Sequence, residues 1–215
     1  MKRSLILILC SLFVFSFAYS QSSAESKTIL DNAYQQFEKS NGVKLSFILT
    51  TEDANGDVYE PQNGTAFVKQ DKFKLELLFA TTWFDGKTQW VLLKDANEVN
   101  ISNPAPQELI TISPLALLNL YKTGYNLGKP IKKTIKGKEL IQIEMSPIDK
   151  SQEFKELTIT LDKKTNSVTD VSFTTKDGIK SSLAITNYQI DNDFTNDLFT
   201  FNKYNHPGVE VIDLR

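Results

Sequence analysis

The sequence predicts a mainly β protein of the α+β kind, with roughly ten or eleven antiparallel strands in a barrel or strongly curved sheet and two short helices inserted. Three observations carry this. From Val43 onward, short stretches of alternating apolar and polar residues recur at regular spacing, separated by Asn-Gly, Asp-Gly and Lys-Gly turns. Two helix-like stretches stand apart from that rhythm, one before the first strand and one in mid-chain. The stretch from Thr81 to Leu93, TTWFDGKTQWVLL, is a hairpin with a tryptophan on each arm and apolar residues on both faces. Such a hairpin either packs between two layers or forms part of a wall around an apolar interior.

The chain opens as a signal peptide would. Lys2 and Arg3 precede an apolar run from Leu5 to Phe17, too short for a comfortable membrane span. Ala18-Tyr19-Ser20 then places small residues at the positions a signal peptidase reads, so residues 1–20 are expected to be removed and the mature chain to start near Gln21. The one cysteine, Cys10, lies inside the run behind Leu9, which is not the small residue lipid modification needs. The expected mature chain has no thiol, no disulfide and no cysteine metal site. Loss of Lys2 and Arg3 takes the formal charge from −2 to about −4, against a nucleic-acid partner. No linker, repeat or low-complexity tract is visible, so residues 21–215 are expected to form a single domain.

Taken in order, Ser22 to Lys39 reads as a helix. Ile29, Leu30, Ala33, Tyr34 and Phe37 recur at helical spacing, and Asn41-Gly42 is a stop signal. Val43, Leu45, Phe47 and Leu49 then alternate with Lys44, Ser46, Ile48 and Thr50, the period of a strand. Asn55-Gly56 turns the chain. Thr65 to Gln70, and the alternation around Phe73, Leu75 and Leu77, continue a meander. The tryptophan hairpin follows, turning at Asp85-Gly86, and Glu98 to Ser102 is a further strand.

Asn103-Pro104-Ala105-Pro106 breaks the meander. Ser113 as cap and Pro114 at the first helical position open a second helix, apolar nearly all round through Leu115, Leu117, Leu118, Leu120 and Tyr121. Strands resume at Ile131–Ile135, Leu140–Met145, Leu157–Leu161, Val168–Phe173 and Leu183–Tyr188, with a last strand segment expected between Phe194 and Phe201.

The residue inventory argues against most chemistries. The single histidine, His206, precedes Pro207-Gly208 and reads as a solvent-exposed turn residue, and no second histidine exists for a triad or a two-histidine metal site. Asp191, Asp193 and Asp197 lack the glycine and closing glutamate of a calcium loop. The Asn-Gly and Asp-Gly turns do not lead into helices and are not phosphate cradles. No catalytic residue, metal or cofactor is expected. An envelope hydrolase working with two carboxylates would need a polar cleft, and the apolar residues argue against one.

What stands out is apolar surface. Trp83, Trp90, Phe67, Phe73, Phe79, Phe84 and the greasy second helix fall in one half of the chain. Two readings stay open: a well-filled core, or a half-barrel whose concave face its own side chains cannot fill, with the helices as a lid. A cavity of the second kind would take up an apolar ligand, at roughly 0.8 kcal/mol per buried CH₂.

Several stretches together resemble the periplasmic lipoprotein carrier family LolA. They are the first helix followed by Val43–Thr51, then Gly64-Thr65-Ala66-Phe67-Val68-Lys69 with Phe73 beyond, and the Trp83–Trp90 hairpin with its DGKTxW core. Ser113-Pro114-Leu115, Phe199-Thr200-Phe201 and the closing PGVEVID from Pro207 complete the likeness. The resemblance implies an incomplete antiparallel β-barrel with short helices as a lid over an apolar cavity. It implies a soluble, monomeric periplasmic carrier that binds the acyl chains of lipidated proteins. Such a carrier receives its cargo from an inner-membrane release complex and hands it to an outer-membrane acceptor. On that reading Leu30, Tyr34, Phe37, Leu115, Leu117 and Leu118 belong to the lid, and Phe47, Phe67, Leu75, Leu77, Trp83 and Trp90 to the inner wall. One departure is visible. The family's arginine after the lysine matching Lys69, which latches the lid, is Gln70 here, an uncharged amide. The other reading is a half-barrel of the same shape that binds another lipid or apolar envelope ligand.

Overall fold

The computed structural model describes residues 23–105, 108–109, 119–122, 124–190 and 193–215. The expected signal peptide and most of the second helix, with Leu115, Leu117 and Leu118, lie outside the described residues.

Helix α1 spans residues 23–38. Its buried stripe is Ser26, Leu30, Ala33 and Phe37, spaced by three and four, so one face turns inward over about three helical turns. The Ser40 hydroxyl donates to the Phe37 carbonyl at 2.7 Å and closes the helix.

Thirteen strands follow among the described residues, all in one sheet. They are β1 (Val43–Glu52), β2 (Gln62–Lys69), β3 (Lys72–Glu76), β4 (Ala80–Phe84), β5 (Gln89–Leu93), β6 (Glu98–Ser102), β7 (Tyr125–Leu127), β8 (Ile131–Ile135), β9 (Lys138–Pro147), β10 (Phe154–Asp162), β11 (Val168–Thr175), β12 (Lys180–Gln189) and β13 (Glu210–Asp213). The order across the sheet is β13-β6-β5-β4-β3-β2-β1-β12-β11-β10-β9-β7, with β8 also on β9. Two hairpin-linked meanders, β1–β6 and β8–β12, therefore join where β1 lies antiparallel to β12. The path does not close on itself: this is an incomplete barrel, with β13 at one end and β7 and β8 at the other.

Its concave face holds the main core, where α1 meets both meanders. Leu30 and Phe37 of α1, Phe47 and Phe73 of the first meander, and Ile143 and Ile159 of the second belong to one buried cluster. The convex face of β4–β6 carries a second, smaller cluster of Trp83, Leu92, Val99 and Val209, with Trp90 and Phe201 packed against it. The C-terminal segment covers that face. The tryptophan hairpin is thus part of the barrel wall, with Phe84 in the main core on its concave face and both tryptophans in or against the convex cluster.

Three expectations needed correction. Tyr125–Leu127 is a strand, too short to show an alternation. The stretch from Phe194 to Phe201 holds a 3₁₀ turn, Asn196–Phe199, and no strand, because its aromatic residues pack down onto the sheet from outside it. The last strand is instead β13 in the tail, parallel to β6, with Val211 opposite Val99. His206 is half-buried, stacked on Phe201 at 5.1 Å between centroids and edge-on to Trp83 at 5.8 Å.

Candidate functional site

The register separates the candidate residues by face. Across the first meander runs a row of directly opposed residues: Lys44, Phe67, Lys74, Trp83, Trp90 and Ile101. The row beside it on β1–β3, Leu45, Ala66 and Leu75, points the other way, into the core beneath α1. Side chains directly opposite each other share a face, so Phe67, Trp83 and Trp90 are all convex. The expected inner wall is corrected at these three positions, while Phe47, Leu75 and Leu77 lie on the concave side with Leu30, Tyr34 and Phe37. On the convex face Phe67 meets Phe194 edge-on at 5.6 Å, flanked by the Lys44 and Lys74 ammonium groups at 5.4 and 5.7 Å from its ring centre. These are contacts of a covered outer surface, not of a cavity wall.

Gln70 lies at the exposed tip between β2 and β3, in the left-handed backbone region at φ 56°. The polar contacts that hold α1 come from elsewhere. The Tyr121 hydroxyl donates to Asp31 at 2.6 Å, and Lys27 donates to the other oxygen of the same carboxylate at 2.7 Å. These two donors hold the Asp31 carboxyl below its usual range, the Lys27 bond contributing most. Burial first, and the bond to Asp31 second, push the Tyr121 phenol well above its ordinary value. Next to this pair the Lys122 ammonium lies 3.3 Å from the centre of the Tyr34 ring. At the start of the helix, Ser26, fully buried, donates to the Gly128 carbonyl at 2.6 Å. Sequence reasoning missed all three contacts, since each joins α1 to a segment about ninety or more residues away.

A groove of about 830 Å³ opens beside the concave core, between residues 59–61, the first half of β2 and the β3–β4 turn. Phe47 and Leu77 line it, and Tyr59, Leu78 and Phe79 stand exposed at its edge, at 56%, 65% and 54% of their full surface. Gly64 is part of its lining for a definite reason. It sits opposite Phe47 across β1 and β2, and a Cβ there would fall 2.2 Å from the Phe47 ring. The ring lies over the place a side chain would take. The sequence signal for the edge residues is large apolar side chains in turn segments, where polar residues are usual.

The site's titratable groups are few. Tyr188, opposite Leu45 at the inner end of β12, is pushed by burial up to about 12. Among the described residues no three His, Cys, Asp or Glu side chains gather as metal ligands would. No helix among them is long and apolar enough to cross a membrane.

The family profile described as outer membrane lipoprotein carrier protein LolA matches residues 16–177, three quarters of the chain. The chain belongs to the LolA family. Curated proteins yield no match. Among solved structures, an uncharacterized conserved protein from Thermus thermophilus is 12% identical, with 88% of this chain and 99% of that one covered and a TM-score of 0.60. A LolA superfamily protein from Nitrosomonas europaea is 11% identical, covering 83% and 98%, with a TM-score of 0.45. The Mycobacterium tuberculosis lipoprotein LppX is 14% identical, covering 79% and 97%, with a TM-score of 0.48. At such identities the likeness concerns fold alone, and the Thermus structure carries it. Within the LolA fold, the concave face beneath α1 and the groove beside it form the candidate binding site.

Proposed function

We propose that this LolA-family chain is a periplasmic carrier that holds the acyl chains of lipidated proteins against its concave face and moves them from the inner to the outer membrane. On this reading it binds and does not catalyse. It works as one domain from about Gln21, after export on a cleaved signal peptide. The observation that carries the proposal is the way α1 covers the concave core: an apolar stripe of Leu30, Ala33 and Phe37, tied down by a few polar contacts.

Magnitudes support an exchange between α1 and a lipid. Withdrawing Leu30 and Phe37 from the core costs roughly 1.5–3 kcal/mol each. An acyl chain burying about a dozen methylenes returns roughly 10 kcal/mol. A lipid therefore replaces what the helix gives up, with enough left to break the Asp31–Tyr121 bond. In this scheme the groove edged by Tyr59, Leu78 and Phe79 is the way in, and Leu30, Tyr34, Phe37, Phe47, Leu75 and Leu77 meet the chain. Leu115, Leu117 and Leu118 complete the lid.

The test is native mass spectrometry of the protein purified from its own cell envelope, with extraction and analysis of bound lipid. A co-purifying triacylated peptide or lipoprotein is expected. A free fatty acid or another lipid in its place would make the chain a binding module for that ligand and overturn the carrier role. An empty protein that also refuses acylated peptide would overturn both.

A further inference from the structure

At the β8 end of the open sheet the chain gathers positive charge that the concave site does not use. Residues 129–139, KPIKKTIKGKE, form the β8–β9 hairpin, with its tip at Lys136-Gly137, where both residues take positive φ. The β10–β11 turn lies alongside: the Lys163 amide donates to the Glu139 carbonyl at 3.0 Å, and its ammonium reaches the Glu139 carboxylate at 3.1 Å. Together these two turns and the start of β8 bring Lys129, Lys132, Lys133, Lys136, Lys138, Lys163 and Lys164 to one side of the sheet end, against Glu139, Glu144 and Asp162. All seven lysines are exposed. Among the described residues, Lys129, Lys132, Lys133 and Lys136 are in no ion pair. The Asp162 carboxyl is held below its usual range mainly by the Thr165 amide, with a smaller contribution from Lys138 at a distance.

The corner carries about +4 in a chain whose formal charge is −2, so the remainder carries about −6. Such a dipole points this corner at an anionic surface and holds the rest of the molecule away from it.

The apolar residues of the same hairpin decide the kind of surface. β8 is exposed along its whole length, the only strand of five or more residues among those described for which this holds. Ile131 and Ile135 are 39% and 51% exposed. They flank Lys133 on one face, because successive residues of a strand alternate. Their cross-strand partners are Gln142 and Lys138, with Leu140 opposite Lys133. Ile141, next along β9, turns into the core, so the isoleucines stand on the convex side, away from the candidate lipid site. Two β-branched apolar side chains among ammonium groups match the boundary of a bilayer, where phosphates lie just outside hydrocarbon. An acidic protein face would satisfy the lysines and leave the isoleucines in contact with carboxylates.

We propose that the β8–β9 hairpin, with the adjoining β10–β11 turn, docks the protein onto the anionic phospholipid surface of a bilayer, with the lysines at the phosphates and Ile131 and Ile135 reaching below them. This does not rest on the carrier reading, and its assay contains no lipoprotein, so either can fail without the other.

The experiment is sedimentation of the full mature chain with vesicles of phosphatidylethanolamine mixed with phosphatidylglycerol or, in parallel, with phosphatidylcholine. Binding to the anionic vesicles only is expected, weakening as salt is raised. Each lysine at the surface is worth about a five-fold gain in partition, so the triple Lys→Gln variant at 133, 136 and 138, which leaves Lys132 because it lies opposite Ile141 on the core side of the hairpin, should lose about a hundred-fold. Its melting temperature should stay within a few degrees of the parent, since these side chains are exposed. Ile131→Ser with Ile135→Ser should lose several-fold at every salt concentration. Inorganic phosphate at matched ionic strength should compete no better than chloride. Equal binding to both vesicle types, no binding to either, full binding by the lysine variant, serine variants that bind like the parent, or specific competition by phosphate would each overturn the proposal.

Discussion

The Tyr121 hydroxyl and the Asp31 carboxylate meet at 2.6 Å, joining the first helix to a segment 90 residues further along. Tyr121 is almost fully buried and Asp31 about one-third exposed, so this bond is shielded on one side and wet on the other. It is charge-assisted, and Lys27 completes the carboxylate's partners.

Tyr121→Phe removes the donor and keeps the ring in place. A charge-assisted bond at a partly wet site gives an expected loss of about 1 kcal/mol. Urea unfolding would show it as a lower midpoint with an unchanged slope. If α1 is a lid, the variant should also take up a fluorescent fatty acid faster than the parent. An unchanged midpoint would mean that the bond adds nothing to the folded state.

The same pair makes stability depend on pH in a stated direction. The folded-state pKa of Asp31 lies below its unfolded value, so the contribution is fully present above the unfolded value, near 4, and is lost as pH falls through the folded pKa. Thermal melts of the parent should therefore fall below about pH 4, and Asp31→Asn should flatten that part of the profile while lowering the melting point at pH 7. Profiles of the same shape in both proteins would remove Asp31 from the account.

Gly64→Ala should be costly although alanine suits a strand better than glycine. The new Cβ would fall 2.2 Å from the Phe47 ring, which must leave its place. Overpacking of this kind costs roughly 1–3 kcal/mol. Combining it with Phe47→Leu should recover part of the loss, and a double-mutant cycle measures how much. Strict additivity would show that the ring does not depend on the glycine.

The two native tryptophans should be silent reporters. Both are on the convex face, in or against the cluster that the C-terminal segment covers. Loading with a fatty acid at the concave face should leave their emission maximum within a few nanometres of the empty protein, whereas Phe47→Trp should add a component that moves. A shift of the native emission would place ligand on the convex side. Trp83→Ala should cost roughly 3–5 kcal/mol through loss of packing while leaving lipid selectivity unchanged.

Much of this architecture was legible from residue patterns. Leu30, Ala33 and Phe37 repeat at helical spacing, and the buried stripe of α1 is made of them. Val43, Leu45 and Phe47 alternate, and all three are buried. Local periodicity sufficed because each element needs one apolar side. The candidate site was harder to read. Phe67 and Trp83 are as apolar as Phe47, and they lie on the opposite face, because a covered convex surface puts large apolar residues on the outer side of β2, β4 and β5 as well. Where both faces are apolar, alternation no longer says which is inward. The short strands β7 and β13 and the contacts of Ser26 and Tyr121 left no local mark, since their partners are distant in the chain.

The sequence by itself determined that this chain builds helix α1 and a long series of hairpin-linked strands, because backbone hydrogen bonding and apolar period act over a few residues. It also determined the family, through matches along 16–177. Only the tertiary structure decided which face of each strand is concave, that the C-terminal segment covers the tryptophans, and that Asp31, Ser26 and Tyr34 hold the first helix in place. Those outcomes depend on register and on segments roughly 90 or more residues apart, and pairing at that range is set by how the whole sheet curves and packs.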